Sequence, residues 1–163
     1  MVTPIIILLI LSSPLGIAFC YSSLKSIPLD INKYASWGLG LAFIFFFIGH
    51  IAQTDGMVEM LPPWVPFKVA LIYLTGAIEL LVGIALFIPK LQTIAAKLGI
   101  LIFVIFFPAN IYAALNSVGL GGHQWGAVYL FIRAPLQIIL IAWAYFLCVK
   151  EPKYDSAFKR TVL

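Results

Sequence analysis

Long apolar stretches alternate with short polar linkers along the chain, and this pattern predicts its architecture. A helix needs about 20 apolar residues to cross a hydrocarbon core of ~30 Å. Five stretches reach that length. The predicted spanning helices cover residues 2–23, 35–53, 67–88, 94–115 and 126–149. Because no repeat or low-complexity tract interrupts them, we expect a single all-α membrane domain over residues 1–163.

The first apolar stretch differs from a secretory signal peptide, which is the alternative interpretation. Residues 1–4 contain no lysine or arginine, and the apolar run is longer than the ~7–15 residues typical of a signal peptide. Cys20 follows Phe19, whose side chain is too large for a lipoprotein cleavage site. We therefore predict that this stretch is retained as a spanning helix.

The composition is that of a membrane protein. Hydrophobic residues make up 63% of the chain and charged residues only 10%, whereas a soluble domain carries about 25% charged residues. The net charge of +4 comes from basic residues near the ends of apolar stretches and not from a continuous basic patch. We therefore expect contact with membrane lipid and no nucleic-acid partner.

The distribution of lysine and arginine predicts the orientation of the helices, because cytoplasmic loops carry an excess of these residues. With five spans, eight basic residues fall on one side of the membrane, namely Lys25, Lys33, Lys90, Lys97, Lys150, Lys153, Lys159 and Arg160. The opposite side has only Lys68, together with the acidic residues Asp55 and Glu59. We expect the N-terminus outside and the tail 150–163 in the cytoplasm, a pattern that suits a bacterial plasma (inner) membrane.

Four polar residues lie inside the apolar stretches, each in a different one: His50, Glu79, Asn110 and Arg133. A charged side chain at the centre of a spanning helix costs roughly 2.5–3.5 kcal/mol on insertion scales. Such residues therefore face one another, water or a ligand. We expect Arg133 to pair with Glu79, either directly or through Gln137, which lies one turn further along the same face. The alternative is that Arg133 extends its side chain to the membrane surface.

These residues suggest a site for a lipophilic molecule within the membrane. His50 and Glu79 are candidate catalytic residues, as proton donor and acceptor. The candidate ligand-binding residues are Asn110, Arg133, Gln137, Tyr73 and Tyr112. The alternative for each polar residue is a hydrogen bond between helices that only stabilises the bundle.

Cofactor motifs are lacking in the sequence. The two cysteines, Cys20 and Cys148, lie far apart, and the absence of a CxxC pair argues against a metal site or a thiol redox centre. There is also no haem motif or nucleotide-binding loop. Any electron transfer would therefore require a partner protein or a bound quinone.

The linker between the second and third stretches has its own pattern. Residues 55–61 predict a short amphipathic helix with Asp55 as its N-cap. The turn at 62–66 is rich in proline and places Trp64 at the membrane interface. We expect this linker to cover the outer mouth of the bundle or, alternatively, only to anchor it at the interface.

Several of these segments also carry a family resemblance. They are Gly49-His50-Ile51 with Asp55, Met60-Leu61-Pro62-Pro63-Trp64-Val65-Pro66, Tyr73-Leu74-Thr75-Gly76-Ala77-Ile78-Glu79-Leu80, Phe107-Pro108-Ala109-Asn110 and Arg133-Ala134-Pro135-Leu136-Gln137. Together, over roughly residues 35–147, they resemble the DoxX-like family of small integral membrane proteins. The resemblance implies a four-helix transmembrane bundle with one extra N-terminal transmembrane helix. It also implies an association with membrane redox systems such as thiosulfate:quinone oxidoreduction, although most members have no assigned reaction.

Three functions are compatible with the sequence, which leaves open whether the protein is an enzyme. The first is a non-catalytic accessory subunit that docks a partner membrane or redox protein, which the small size and the lack of cofactor motifs favour. The second is a protein or enzyme that binds a quinone or an isoprenoid lipid at the polar residues. The third is a transporter, which the lack of a repeat pair disfavours, although an oligomer would supply a pore.

Overall fold

The computed structural model describes residues 2–117 and 123–150, and this part of the chain is helical without strands. In chain order the elements are α1 (Thr3–Lys25), α2 (Ile31–Ala52), α3 (Thr54–Glu59), α4 (Lys68–Ala85), α5 (Gln92–Leu115), a 3₁₀ segment (His123–Tyr129), α6 (Leu130–Trp143) and a π-helical turn (Ala144–Val149). Five helices are long and apolar enough to cross a membrane: α1, α2, α4, α5 and α6 with its π-helical turn. The prediction of five apolar helices of spanning length is therefore confirmed.

Two helices begin four residues away from the predicted position, for local reasons. Helix α2 begins four residues earlier than expected, because the Asp30 side chain caps it by accepting a hydrogen bond from the Lys33 backbone N–H at 3.0 Å. The last span begins at Leu130, because the preceding residues form a 3₁₀ segment that is kinked at Gly126, where φ is +64°. Such a positive φ suits glycine.

Helices α2 and α4 pack closely because glycines line their contact. A Cβ atom on Gly40 would lie 2.9 Å from the Gly83 carbonyl oxygen, and one on Gly83 would lie 3.1 Å from the Gly40 carbonyl oxygen. Small residues at such crossings let two backbones approach and gain van der Waals contact in lipid. This contact fixes the distance between α2 and α4 along their length and thereby positions His50 and Glu79.

Helix α1 packs along α2 and presents most of its surface outward. A Cβ atom on Gly38 would clash with the Leu11 backbone, so the two helices are in backbone contact at that point. Ile7 and Leu11 are buried with exposed fractions of 2% and 1%. Most other large apolar side chains of α1 are exposed, as expected for a helix that faces lipid.

Aromatic packing and two hydrogen bonds attach the last span and α5 to α2. The rings of Phe43 and Phe103 stack with centroids 5.1 Å apart in the core. The Trp143 indole donates to the Ala35 carbonyl at 3.1 Å, and the Asn32 amide donates to the Leu147 carbonyl at 3.1 Å. The beginning of α2 is thus tied to the end of the last span.

The two ends of the bundle differ. Basic residues at the end of α1, at the beginning of α2, in the turn before α5 and at the end of the last span lie at one end of the bundle. We call it the lysine end and define it by Lys25, Lys33, Lys90 and Lys150. The other end is where α2 and α5 end and α4 and α6 begin, and α3 lies there. We call it the cavity end. The predicted tail beyond Lys150 and the glycines of the linker 118–122 lie outside the described residues.

The linker at the cavity end corrects one prediction. A short helix forms, but it begins at Thr54 with Gln53 at the N-cap position, and Asp55 lies within its first turn. The reason is that α3 follows α2 almost directly: the Thr54 hydroxyl donates to the His50 carbonyl at 2.7 Å. Trp64 is 81% exposed, as expected for an interfacial anchor.

Candidate functional site

The polar residues of four different helices line one cavity at the cavity end of the bundle. Its volume is about 580 Å³, within the range of about 300–1,000 Å³ typical of ligand pockets. The polar lining includes His50 of α2, Glu79 of α4, Asn110 of α5, and Arg133 and Gln137 of α6. The expectation that such residues face one another or a shared space is met for all five.

His50 and Glu79 form the closest contact between ionisable groups of the site. The imidazole Nε2 lies 3.1 Å from the carboxylate Oε2. This proximity depends on Gly76, where a Cβ atom would lie 2.9 Å from the His50 Cβ. Both residues are buried, with exposed fractions of 8% for His50 and 5% for Glu79. A pair of this type can hold and exchange a proton when the histidine changes its charge.

The pair does not satisfy its own hydrogen-bonding capacity. Glu79 Oε2 has His50 Nε2 as its neighbour at 3.1 Å, whereas His50 Nδ1 has no hydrogen-bond partner within the described residues. A buried polar atom without a partner costs about 1–3 kcal/mol. The two residues are therefore suited to bond with a further group.

Arg133 lies on the opposite wall and interacts with two neighbours. Its Nη2 donates to Asn110 Oδ1 at 3.3 Å, which joins α6 to α5. It also interacts electrostatically with Tyr129, which is fully buried one turn earlier, and with Glu79. Arg133 is half-buried and lines the cavity. A guanidinium group has five N–H donors, so Asn110 occupies only part of its capacity.

The expected pairing of Arg133 with Glu79 is corrected by the structure. Across the described ranges, the ion pair within 4 Å is that of His50 and Glu79, and no direct Arg133–Glu79 pair forms. Gln137 does not bridge them either, because its amide donates to the Phe103 carbonyl of α5. The physical reason is Gly76, which brings α2 closer to Glu79 than α6 comes.

The structure separates the two candidate tyrosines from the cavity. Neither Tyr73 nor Tyr112 is among the described residues that line it, and Tyr73 is 52% exposed. Tyr73 lies six residues before Glu79 and so points about 120° away around the helix axis. Tyr112 lies two residues after Asn110 and points about 160° away. Helical geometry applied to the sequence could have shown this.

The cavity has an apolar wall that the sequence analysis did not include. Its aromatic part comes from α2 and α5 and consists of Phe45, Phe46, Phe103 and Phe106. Thr3 and Ile7 of α1 also line it, and Met57 and Met60 lie at its α3 side. None of the four polar residues named from the sequence lies in α1, and only the tertiary packing of α1 on α2 reveals its contribution.

The cavity is partly open, and exposed apolar residues belong to its wall. Ile48 of α2 and Ile105 of α5 are 54% and 58% exposed and lie within spanning helices. Ile105 is about 15 Å from the end of α5 at 1.5 Å per residue. The cavity is therefore bordered by surface that faces lipid at membrane depth. In residues 2–117 and 123–150, no cluster of three metal-ligating side chains exists.

One family model matches the part of the chain that contains most of this site. Residues 39–148 match the family described as "Domain of unknown function (DUF8561)". The chain belongs to this family. The match covers more than half of the 163 residues and includes His50, Glu79, Asn110, Arg133 and Gln137, whereas α1 lies outside it. No curated protein and no solved structure matches the chain.

Proposed function

We propose that this DUF8561 protein binds a lipophilic small molecule within the membrane, with the polar head of the ligand between His50, Glu79 and Arg133. One observation carries the proposal: the polar residues of four spanning helices line a single cavity whose remaining wall is mostly apolar. Binding sites for small molecules combine an apolar lining with a few convergent polar groups in this way. A quinone or an isoprenoid lipid has the matching distribution of polar and apolar atoms.

The unsatisfied polar atoms favour ligand binding over the accessory-subunit role that the sequence placed first. A cluster that only stabilises the bundle is expected to pair its own donors and acceptors. Here His50 Nδ1 is buried without a hydrogen-bond partner among the residues described. The proposal is compatible with a partner membrane or redox protein that delivers or receives the ligand.

The division of roles follows from the geometry. His50 and Glu79 contact each other at 3.1 Å and would exchange a proton with the ligand head. Arg133, positioned by Asn110 at 3.3 Å, would orient the head through its remaining N–H groups. The phenylalanine wall would contact the apolar part of the ligand. Gln137 would act indirectly, because its amide holds α6 against α5.

Family origin and membrane placement belong to the same proposal. The motifs around His50, Glu79 and Arg133 support a relationship between DUF8561 and the DoxX-like family. The positions of the lysines support an orientation with the lysine end in the cytoplasm and the cavity end outside, in a bacterial plasma membrane. In that orientation the ligand enters from the outer leaflet.

Native mass spectrometry of the purified protein, combined with lipid extraction, tests the proposal. Wild type is compared with His50→Ala, and Gln92→Ala is the matched control. Gln92 is also a buried polar residue, 5% exposed, but its amide bonds the Leu86 carbonyl away from the cavity. We expect wild type and Gln92→Ala to retain the same lipophilic molecule and His50→Ala to lose it.

The same experiment identifies the result that would contradict ligand binding. If folded His50→Ala retains the same molecules as wild type in the same amounts, the cavity is not their site. If wild type retains no lipophilic molecule and instead co-purifies with a stoichiometric protein, the accessory-subunit role replaces the present proposal.

A further inference from the structure

The α2–α4 side of the cavity presents a hydrogen-bond acceptor, because Glu79 lines it. An ionised carboxylate can only accept, and its two oxygens offer about four lone-pair positions. The contact of Oε2 with His50 Nε2 at 3.1 Å engages only part of this capacity. A ligand head at this wall therefore needs a hydrogen-bond donor.

The α6 side of the cavity requires a hydrogen-bond acceptor on the ligand. Arg133 has donors only, and one of them bonds to Asn110 Oδ1 at 3.3 Å. Its side chain lines the cavity and is half-buried. A ligand head that reaches from the α2–α4 wall to Arg133 therefore needs an acceptor as well as a donor.

The charges around the cavity disfavour an ionised head. Among the described lining residues, the ionisable ones are His50, Glu79 and Arg133. The positive charge of Arg133 and the negative charge of Glu79 cancel when His50 is neutral. An anionic head would be repelled by Glu79 and a cationic head by Arg133, and either would add an unbalanced charge to a space of low dielectric constant.

From these three observations we propose that the site selects lipophiles with an uncharged hydroxyl head, such as long-chain alcohols and alkylphenols. The hydroxyl group donates to Glu79 and accepts from Arg133, while the chain lies along the phenylalanine wall. This inference rests on the proposed ligand-binding function and adds the chemistry of the ligand head. Of the ligand classes named above, isoprenoid alcohols and the reduced quinol form of a quinone have such a head. Quinones, ethers and esters, which cannot donate, and ionised lipids bind less well.

Three matched probes test the inference at neutral pH: para-nonylphenol, its methyl ether and para-nonylbenzoate. They share an alkyl chain and a ring and differ only in the head. The phenol head donates and accepts hydrogen bonds, the methyl ether head only accepts them, and the benzoate head carries a negative charge. Their dissociation constants are measured by native mass spectrometry of wild type, of Glu79→Gln, and of Glu59→Gln as control. Glu59 is an exposed glutamate of α3 and does not line the cavity.

We expect wild type to bind the phenol about tenfold more tightly than the methyl ether, the ratio typical of a hydrogen bond to a charged acceptor. The benzoate should bind more weakly than the phenol. The ratio of phenol to ether should fall severalfold in Glu79→Gln and remain unchanged in Glu59→Gln. Because the ratio is compared between proteins in the same detergent, differences in partitioning of the probes cancel.

Each other outcome overturns a defined part of the inference. Equal affinities of wild type for phenol and ether would remove the hydroxyl requirement but leave ligand binding intact. Tightest binding of the benzoate would show an anionic head. If wild type binds none of the three probes, both this inference and the proposed function fail. Should Glu79→Gln not fold, the comparison of the three probes on wild type decides alone.

Discussion

At the scale of single residues, Gly76 is the position on which the site depends most. It allows His50 to lie against α4, with the imidazole 3.1 Å from Glu79. A side chain at this position would displace His50, because an added Cβ would lie 2.9 Å from the His50 Cβ. The missing side chain thus determines which partner Glu79 has.

We therefore expect Gly76→Ala to destabilise the bundle and to weaken ligand retention. Overpacking of a tight contact costs about 1–3 kcal/mol. Gly49→Ala is the matched control on α2, because the nearest atom to its added Cβ is a flexible methionine methyl, of Met57, at 3.4 Å. The free energy of unfolding of both variants is measured by titration with sodium dodecyl sulfate. Equal stability of the two variants would refute the close α2–α4 contact at His50.

The contact of His50 with Glu79 makes a second prediction at this scale. We expect His50→Ala and Glu79→Ala together to cost less free energy of unfolding than the sum of the single changes. Residues in contact typically couple by about 0.5–3 kcal/mol. The control cycle combines His50→Ala with Gln92→Ala, which bonds at the other end of α5 from Asn110 and should be additive. Additivity of the His50–Glu79 cycle would show that the pair contributes no interaction.

At the scale of helices, α1 forms part of the cavity although it lies outside the family match. It contributes Thr3 and Ile7 to the wall and meets α2 at Gly38, where the Leu11 backbone leaves no space for a side chain. An added helix that borders a ligand cavity is positioned to influence the size of the ligand. We therefore regard α1 as a part of the binding site and not only as a membrane anchor.

Helix α1 provides a pair of matched glycine substitutions. Gly38→Ala should separate α1 from α2, lower the free energy of unfolding by about 1–3 kcal/mol, and reduce ligand retention. Gly16→Ala should have little effect, because no atom lies within 4 Å of its added Cβ. Thermal unfolding and native mass spectrometry of the two variants measure both effects. A Gly38→Ala variant that matches wild type in both measurements would exclude the close contact of α1 with α2.

The helices show how far sequence reasoning reaches at this scale. Apolar length predicted all five spans, and the polar interruptions correctly indicated His50, Glu79, Asn110 and Arg133 as neighbours of one space. The sequence failed where a contact depends on how closely two helices approach. It paired Glu79 with Arg133, because the close approach of α2 to α4 at Gly76, which places His50 beside Glu79, depends on tertiary packing. It also included Tyr73, although the rotation of Tyr73 relative to Glu79 follows from helical geometry alone.

At the scale of the whole molecule, the two ends differ in charge and in chemistry. The lysine end has cation–π contacts such as that of Lys33 Nζ, 5.1 Å from the Trp37 ring centroid, whereas the cavity end carries the polar site. Basic residues are retained on the cytoplasmic side of membranes. The asymmetry of the bundle therefore predicts that the cavity is closer to the outside of the cell.

Single cysteines placed at the two ends test this orientation in a background without Cys20 and Cys148. Trp64 is 81% exposed at the cavity end, and Lys150 is exposed at the lysine end. We expect a membrane-impermeant maleimide to label Trp64→Cys in intact cells and Lys150→Cys only after permeabilisation. The reverse pattern would place the cavity end in the cytoplasm and would require ligand entry from the inner leaflet.

Photolabelling with a diazirine-bearing octanol tests ligand binding in the cavity of the wild-type protein directly. After illumination in membranes, the modified residues are mapped by peptide mass spectrometry, and para-nonylphenol serves as competitor. We predict saturable labelling of cavity residues such as Phe46, Ala109 and Leu136, which the competitor abolishes. Labelling that is confined to lipid-facing residues such as Ile84, Leu98 and Phe131, and that the competitor leaves unchanged, would contradict a ligand site in this cavity.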